Sequence, residues 1–184
     1  MKKALILALL LLPSLAMAAD KVPYVATLAS TGFHIDYPTP DQNAAGCDFA
    51  DTAEPWNGMR WGKITIEAVG HSTLMGLVTD IQWHCTPMPP GDFGPPPTGF
   101  PVPFKHGKAT ITAANGDTIY GDYEGFATFD GNGLVIDGNL TTTGGTGRFA
   151  GASGTGKALG VQTPASAAMS LTGTMTPPGA AKKN

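Results

Sequence analysis

The stretch Thr143-Gly-Gly-Thr-Gly-Arg-Phe-Ala-Gly-Ala-Ser-Gly-Thr-Gly-Lys157 holds six glycines in fifteen residues. Glycine adopts positive φ values without steric cost and lets neighbouring backbones approach closely. Glycine of this density is typical of turns and bulges in a sheet. We therefore predict that an antiparallel sheet turns here, crowds its neighbouring strands and closes into a barrel.

Two phosphate-binding motifs compete with that interpretation. Gly151 to Lys157 matches the P-loop spacing G-x-x-x-x-G-K, but Ala158 stands where a Ser or Thr must bind magnesium. Gly145 to Ala150 fits the looser dinucleotide fingerprint, which requires a helix directly after it. The residues from 155 to 175 are mostly Gly, Thr, Ser, Ala and alternating apolar residues, which do not predict a helix. The turn interpretation is favoured, and no cofactor is predicted.

The glycine stretch also carries a resemblance to a barrel family. Gly144-Gly-Thr-Gly-Arg-Phe149 with the following Gly151-Ala152 and Gly154 resembles the G-G-T-G-x-F…A-x-G signature of allene oxide cyclase-like and dirigent-like barrels. It is most similar to the small secreted bacterial proteins of that group, and Ala113 to Gly125 resembles a second element of theirs. The resemblance covers residues 62–175 and implies a calycin-type barrel. The structural signature that it assigns is Gly144, Gly145, Thr146, Gly147, Phe149, Gly151 and Gly154.

The first eighteen residues have the pattern of a secretory signal peptide. A positive start, Met1-Lys-Lys, precedes an apolar run of nine residues and the small-x-small cleavage site Ala16-Met-Ala18. We expect a mature, exported chain in the periplasm or outside the cell, with no membrane span, because no later run approaches ~20 apolar residues. Without Lys2 and Lys3 it has 11 − 2 = 9 basic against 14 acidic residues, a formal charge of −5. That balance argues against nucleic acid as a partner.

Two cysteines, Cys47 and Cys85, remain in a compartment that favours oxidation, so a disulfide is predicted. Closing that loop would stabilise the fold by roughly 4 kcal/mol in the chain-entropy model. The alternative, a reactive thiol, needs a neighbouring base. His84 is adjacent to Cys85 in sequence, but adjacent strand residues point to opposite faces.

Alternating apolar residues without helical spacing predict an all-β fold, a single antiparallel barrel of about eight strands rather than a sandwich. The barrel is preferred because glycines recur within the predicted strands, where a strongly coiled sheet bends. These glycines are Gly76, Gly121, Gly125, Gly138 and Gly154.

The domain organisation follows from this pattern. An irregular segment with one or two strands is predicted over residues 19–60, the barrel over 61–176 and a disordered tail over 177–184. Within the barrel, residues 87–103 hold eight of the sixteen prolines and form a predicted long loop, since proline cannot donate to a ladder. An insertion held by its own prolines is favoured over a lid that closes on a ligand.

One set of polar residues shares a strand face: Asp80, Gln82 and His84. If that face lines the barrel lumen, they are candidate ligand-binding groups. If it faces water, they are an ordinary surface. The surface interpretation is favoured because Ile81, Trp83 and Cys85 make a better core face.

No motif predicts catalytic residues. The histidines, taken with Asp36 and Asp80, lack the spacing of a compact metal site, so none is predicted. The four histidines are His34, His71, His84 and His106.

Three functions remain open at this point. The first is an exported, non-enzymatic barrel that binds a small apolar or aromatic molecule in its lumen. The second, which the resemblance implies, is a cyclase-, isomerase- or dirigent-like enzyme that acts on a hydrophobic substrate. The third is a structural or partner-binding module with a filled interior. The volume and lining of the lumen discriminate among them, because ligand pockets usually reach ~300 Å³ and an enzyme needs ionisable groups inside.

Overall fold

The chain folds into a closed antiparallel barrel of eight strands, described by a computed structural model over residues 20–48, 59–88, 96–163 and 166–179. Each strand pairs with the next along the chain, and the last strand pairs with the first. The predicted all-β barrel is therefore confirmed, whereas the predicted signal peptide lies outside the described residues. The strands are β1 (Val22–Asp36), β2 (Arg60–Ser72), β3 (Gly76–Met88), β4 (Pro101–Ala113), β5 (Thr118–Phe129), β6 (Leu134–Gly145), β7 (Gly154–Gln162) and β8 (Ala167–Met175).

The first strand corrects the predicted boundary of the barrel. The sequence predicts an irregular segment up to residue 60, but β1 lies within it, pairs with β2 on one side and with β8 on the other, and so closes the barrel. Its register shifts between Ser30 and Gly32. A bulge places two residues opposite one, which interrupts the alternation of buried and exposed side chains. The sequence therefore resembles two short strands where the structure has one.

One end of the barrel is filled by a hydrophobic core. At this end β1, β3, β5 and β7 begin, so we call it the floor, and we call the opposite end the mouth. The floor side chains come from the strand ends and from the connections between them, which lie across the opening. The buried members include Tyr24, Met75, Val78, Ile119, Phe149 and Met175.

The glycine-dense stretch forms the connection between β6 and β7 across the floor. β6 ends at Gly145, a single 3₁₀ turn spans Gly147–Phe149, and β7 begins at Gly154. Because a strand follows instead of a helix, both nucleotide-binding interpretations are wrong. The predicted turn is confirmed, but the closure of the barrel is not located here, since β1 and β8 make the closing pair.

This connection is tied to the neighbouring β4–β5 hairpin. The Thr146 hydroxyl accepts a hydrogen bond from the Thr118 amide at 3.0 Å and contacts the Thr118 hydroxyl at 2.8 Å. Arg148 Nε lies 3.3 Å from a carboxylate oxygen of Asp117. Arg148 is therefore bound within the turns at the floor, outside the interior of the barrel.

Gly145 is the position in this connection where a side chain has no room. A Cβ there would lie 2.7 Å from the Phe149 carbonyl oxygen and closer still to that of Thr118, whereas a Cβ at Gly144 would meet only a ring carbon of Tyr120 at 3.7 Å. We expect Gly145→Ala to lower the free energy of unfolding by about 1–3 kcal/mol through overpacking.

Gly144→Ala is the matched control for that substitution and should stay within about 0.5 kcal/mol of the wild type, because the new methyl group makes only an ordinary contact. Urea denaturation followed by circular dichroism measures both variants. Equal stability of the two alanine variants would contradict the crowding that we assign to Gly145.

The predicted disulfide is present between Cys47 and Cys85 and belongs to a second, smaller core on the outer surface of the barrel wall. Cys47, Cys85 and Trp61 are fully buried there, with Trp83 packed against them. The irregular segment after β1 contributes Ala44, which donates its amide hydrogen bond to the Trp61 carbonyl at 2.8 Å. The disulfide thus holds this segment against β2 and β3 near the mouth.

Two further predicted boundaries need correction. The proline-rich loop is shorter than residues 87–103, because β3 continues to Met88 and β4 begins at Pro101; residues 89–95 lie outside the described part. The tail predicted to be disordered from residue 177 begins in contact with the floor, where the Gly179 amide donates a hydrogen bond to the Arg148 carbonyl at 2.6 Å.

Gly76 was predicted to bend the sheet within a strand. It instead begins β3, with a φ of 73°, and so belongs to the preceding turn.

Candidate functional site: a polar row in an apolar lumen

The lumen above the floor holds a cavity of about 280 Å³ that extends towards the mouth. Its wall is formed mainly by apolar side chains, among them Ile66 on β2, Ala109 on β4, Ile136 on β6 and Leu171 on β8. Near the mouth, Phe33, Pro97 and Phe100 line it. Small residues such as Ala109 leave the centre of the barrel open, while the floor core closes it below.

Asp80, Gln82 and His84 line this cavity in a row along β3. Asp80 is 2% exposed and Gln82 4% exposed, whereas Ile81, on the opposite face, is 57% exposed. The favoured prediction of a water-facing row is therefore wrong, and the alternative in which these residues face the lumen is correct. Ile81 faces solvent, and Trp83 and Cys85 are covered on the outside by the disulfide-linked segment.

His84 is held in place by two aromatic side chains. Its Nδ1 lies 2.9 Å from the Tyr123 hydroxyl oxygen, and its ring centroid lies 5.2 Å from that of Phe104 and 5.7 Å from that of Tyr123. Gly107 makes room for this cluster, because a Cβ there would lie 2.7 Å from two ring carbons of Tyr123. Burial lowers the pKa of His84 to about 4, so the imidazole is neutral at physiological pH.

Tyr123 is a site residue that the sequence analysis missed. It is buried, lines the lumen from β5, and alternates with Gly121 and Gly125 on the same face. That alternation was visible in the sequence as a lumen-facing row and could have identified it. Burial, together with the charge of Asp80, raises the pKa of Tyr123 well above its ordinary value, so the phenol keeps its proton.

Asp80 lies deepest in the polar row and has no protein partner among the described residues. Its cross-strand neighbours are Ala68 on β2 and Ile111 on β4, and its Oδ1 atom is buried without a hydrogen bond. Burial in this apolar setting disfavours the charged form and raises the pKa of Asp80 to about 7. Such a group can accept or release a proton near neutral pH.

The lumen has no positive side chain to balance Asp80, since none of the described residues that line it is Lys or Arg. The lysines nearest in sequence to the row are on the outer surface. Lys63 lies 4.7 Å from the ring centroid of Trp83 and Lys105 lies 5.7 Å from that of Trp61. Among the described lining residues, Asp80 is therefore the one carboxyl group, and no Lys or Arg balances it.

The other three histidines, which the sequence analysis considered as metal ligands, lie apart from this site. His34 is exposed and contacts Asp36 at 2.9 Å, His71 is exposed near the floor, and His106 occupies the bulge of β4 with a φ of 55°. No group of three or more His, Cys, Asp or Glu side chains that could hold a metal ion occurs in the described part of the chain. Over residues 20–48, 59–88, 96–163 and 166–179, the structure holds no helix with the length and apolar character of a membrane crossing.

Fold and site together define an eight-stranded antiparallel barrel with a mostly apolar internal cavity and one polar row. Comparison of the chain with protein-family models, with curated proteins and with solved structures finds no match.

Proposed function

We propose that this protein is an exported barrel that binds a small, mostly apolar or aromatic molecule in its lumen. The observation that carries the proposal is a cavity of about 280 Å³ with apolar walls and a polar row inside it, in which the buried Asp80 Oδ1 atom has no hydrogen bond. Pockets that combine an apolar lining with a few convergent polar groups are typical ligand sites. The apolar wall supplies affinity through burial, and the polar row selects the orientation.

The cavity volume limits the size of the ligand. An apolar cavity of ~150 Å³ accepts benzene, so 280 Å³ suits a molecule of one or two rings or a short branched hydrocarbon. The same volume speaks against a purely structural barrel with a filled interior. Export is part of the proposal on the strength of the N-terminal pattern, and the Cys47–Cys85 disulfide fits an oxidising compartment.

A second function, a cyclase-, isomerase- or dirigent-like activity on a hydrophobic substrate, is favoured by a specific observation. The lumen contains three ionisable side chains, Asp80, His84 and Tyr123, and Asp80 has a pKa of about 7. A general acid or base works best with a pKa near the operating pH. The resemblance to allene oxide cyclase-like and dirigent-like barrels stays a prediction, because no comparison tests it.

Native mass spectrometry of protein purified from the periplasm tests the binding proposal. We expect a small molecule to remain bound. The mass of the protein in the same spectrum tests export, because a chain cleaved after Ala18 begins at Ala19. Turnover of the co-purified molecule in the presence of purified protein would favour the enzymatic alternative.

Blocking the lumen should abolish binding. Ala109 is buried and lines the cavity, so a phenyl ring in Ala109→Phe would occupy the space of the ligand. We expect at least a tenfold loss of affinity for a hydrophobic fluorescent dye, which corresponds to about 1.4 kcal/mol. Ala168→Phe adds the same ring to the exposed face of β8 and serves as the control. If both variants bind the dye like the wild type, the dye site lies outside the lumen and the proposal fails.

A further inference from the structure

We propose that the lumen selects a ligand whose polar end is a cationic amine, and that this ammonium group binds Asp80 and Gln82. The inference rests on the proposed function and names the chemical class of the ligand. Three independent features of the lumen lead to it: the isolation of Asp80, the absence of a Lys or Arg among the described lining residues, and the position of Gln82.

Asp80 is isolated within the wall of the barrel. The two strands beside β3 place Ala68 and Ile111 next to it, and neither can donate a hydrogen bond from its side chain. A buried carboxyl oxygen without a partner costs free energy, and an ionised one costs more. A ligand that supplies both a positive charge and N–H donors offsets that cost upon binding.

The charge balance of the lumen excludes the opposite class of ligand. A carboxylate or phosphate end would be placed beside Asp80, and none of the described lining residues is a Lys or Arg that could neutralise it. The other ionisable side chains around Asp80 are Tyr24, His84 and Tyr123, and all three are neutral at pH 7. Burial lowers the pKa of His84 to about 4, and it raises the pKa values of both tyrosines above their ordinary value of 10. An anionic amphiphile such as a fatty acid therefore has no counterion inside the barrel.

Gln82 supplies the second acceptor. Residues two apart on a strand lie about 7 Å from each other on one face, so a nitrogen atom between their side chains can contact both. An ammonium group has three N–H donors and no acceptor, which matches the Asp80 carboxylate and the amide oxygen of Gln82. Gln82 is 4% exposed, and its side chain makes no hydrogen bond within the described part of the chain.

The apolar part of the ligand then extends from Asp80 towards the mouth. Along this direction lie His84, Phe104 and Tyr123, whose ring centroids are 5.2–5.8 Å apart. Aromatic faces pack well against rings. The best fit is an aromatic or alicyclic amine of one or two rings, with its nitrogen at the inner end of the lumen.

Five probes with one hydrocarbon body test this assignment: indane, aminoindane, indanol, indanone and indane carboxylate. Each is titrated at pH 8 against the wild-type protein carrying a hydrophobic fluorescent dye in the lumen. A charge-assisted hydrogen bond contributes about 1.5–3 kcal/mol, so aminoindane should displace the dye at a concentration at least about tenfold lower than indanol. Indanone should resemble indanol, and the carboxylate should be the weakest of the five.

Two variants locate the effect. Asp80→Asn keeps the shape of the side chain and removes its charge, so it should abolish the advantage of aminoindane while indane and indanol still bind. Asp137→Asn makes the same change on the outer surface, where Asp137 pairs with Lys157 at 2.8 Å, and should leave all five probes unaffected. For the wild type at pH 5, protonation of Asp80 should also reduce the advantage of the amine.

The outcomes separate the two levels of the proposal. If indane and indanol bind but aminoindane binds no more tightly, or keeps its advantage in Asp80→Asn, the amine assignment is wrong and the lumen still binds ligands. If no probe displaces the dye, including indane itself, the proposed function fails and the amine assignment fails with it.

Discussion

Replacing Phe149 with alanine is expected to lower the free energy of unfolding by about 3–5 kcal/mol, the usual cost of deleting a fully buried phenyl ring. Phe149 is 1% exposed and belongs to the core that closes the floor. The connections across the floor hold its ring in place, and the backbone around it is already close-packed at Gly145. The protein cannot easily collapse into the space that the ring leaves.

Phe126→Ala is the control for this substitution, because Phe126 lies on the outer face of β5 and is 52% exposed. Its loss should cost less than about 1 kcal/mol. Thermal and urea denaturation of both variants, compared with the wild type, measure the difference. If Phe149→Ala unfolded no more readily than Phe126→Ala, the floor core would not be the element that stabilises the closed end of the barrel.

Asp80 and His84 are expected to give the stability of the protein two opposing pH dependences. Asp80 has a folded pKa of about 7 against an ordinary value of 3.8, so the folded protein retains a proton that the unfolded chain has lost. The contribution of Asp80 to the free energy of unfolding is greatest below pH 4. It falls by on the order of 4 kcal/mol as the pH rises to 7. His84 has a folded pKa of about 4 against 6.5, so its contribution rises between pH 4 and 6.5, by on the order of 3 kcal/mol.

Single substitutions separate the two contributions. Relative to the wild type, Asp80→Asn should become progressively more stable as the pH rises from 4 to 7, since it lacks the Asp80 penalty. His84→Gln should become progressively less stable from pH 4 to 6.5, since it lacks the gain from a neutral imidazole. Urea denaturation of the three proteins at a series of pH values gives these differences, and the surface carboxylates cancel in the comparison. Differences that do not change with pH would mean that both side chains are solvated.

The sequence predicted the barrel because its strands alternate cleanly over most of their length. In β2, Ile64 and Ile66 face inwards between outward-facing polar residues, and Asn115-Gly116 marks the β4–β5 hairpin. The prediction missed the role of β1 because the bulge between Ser30 and Gly32 interrupts its alternation. The pairing of the first strand with the last depends on residues that are far apart in the sequence. No local sequence pattern therefore predicts it.

The inward face of β3 was assigned wrongly because the end of that strand near the mouth is buried on both sides. Cys85 belongs to the outer core under the disulfide-linked segment, while Asp80 and Gln82 belong to the lumen. The rule that apolar residues face inwards chooses the wrong side where a second core covers the outer surface. The polar residues that break this rule are the ones to which we assign ligand binding.

The central claim is that the lumen of this barrel takes up a small apolar molecule. Methyl NMR spectra of the protein with and without aminoindane test it most directly. We predict shifts confined to inward-facing methyl groups, such as those of Ile66, Ile136 and Leu171, and none at the outward-facing Leu77 and Leu159. Shifts at the outward-facing methyl groups alone, or no shift at any ligand concentration, would contradict the claim.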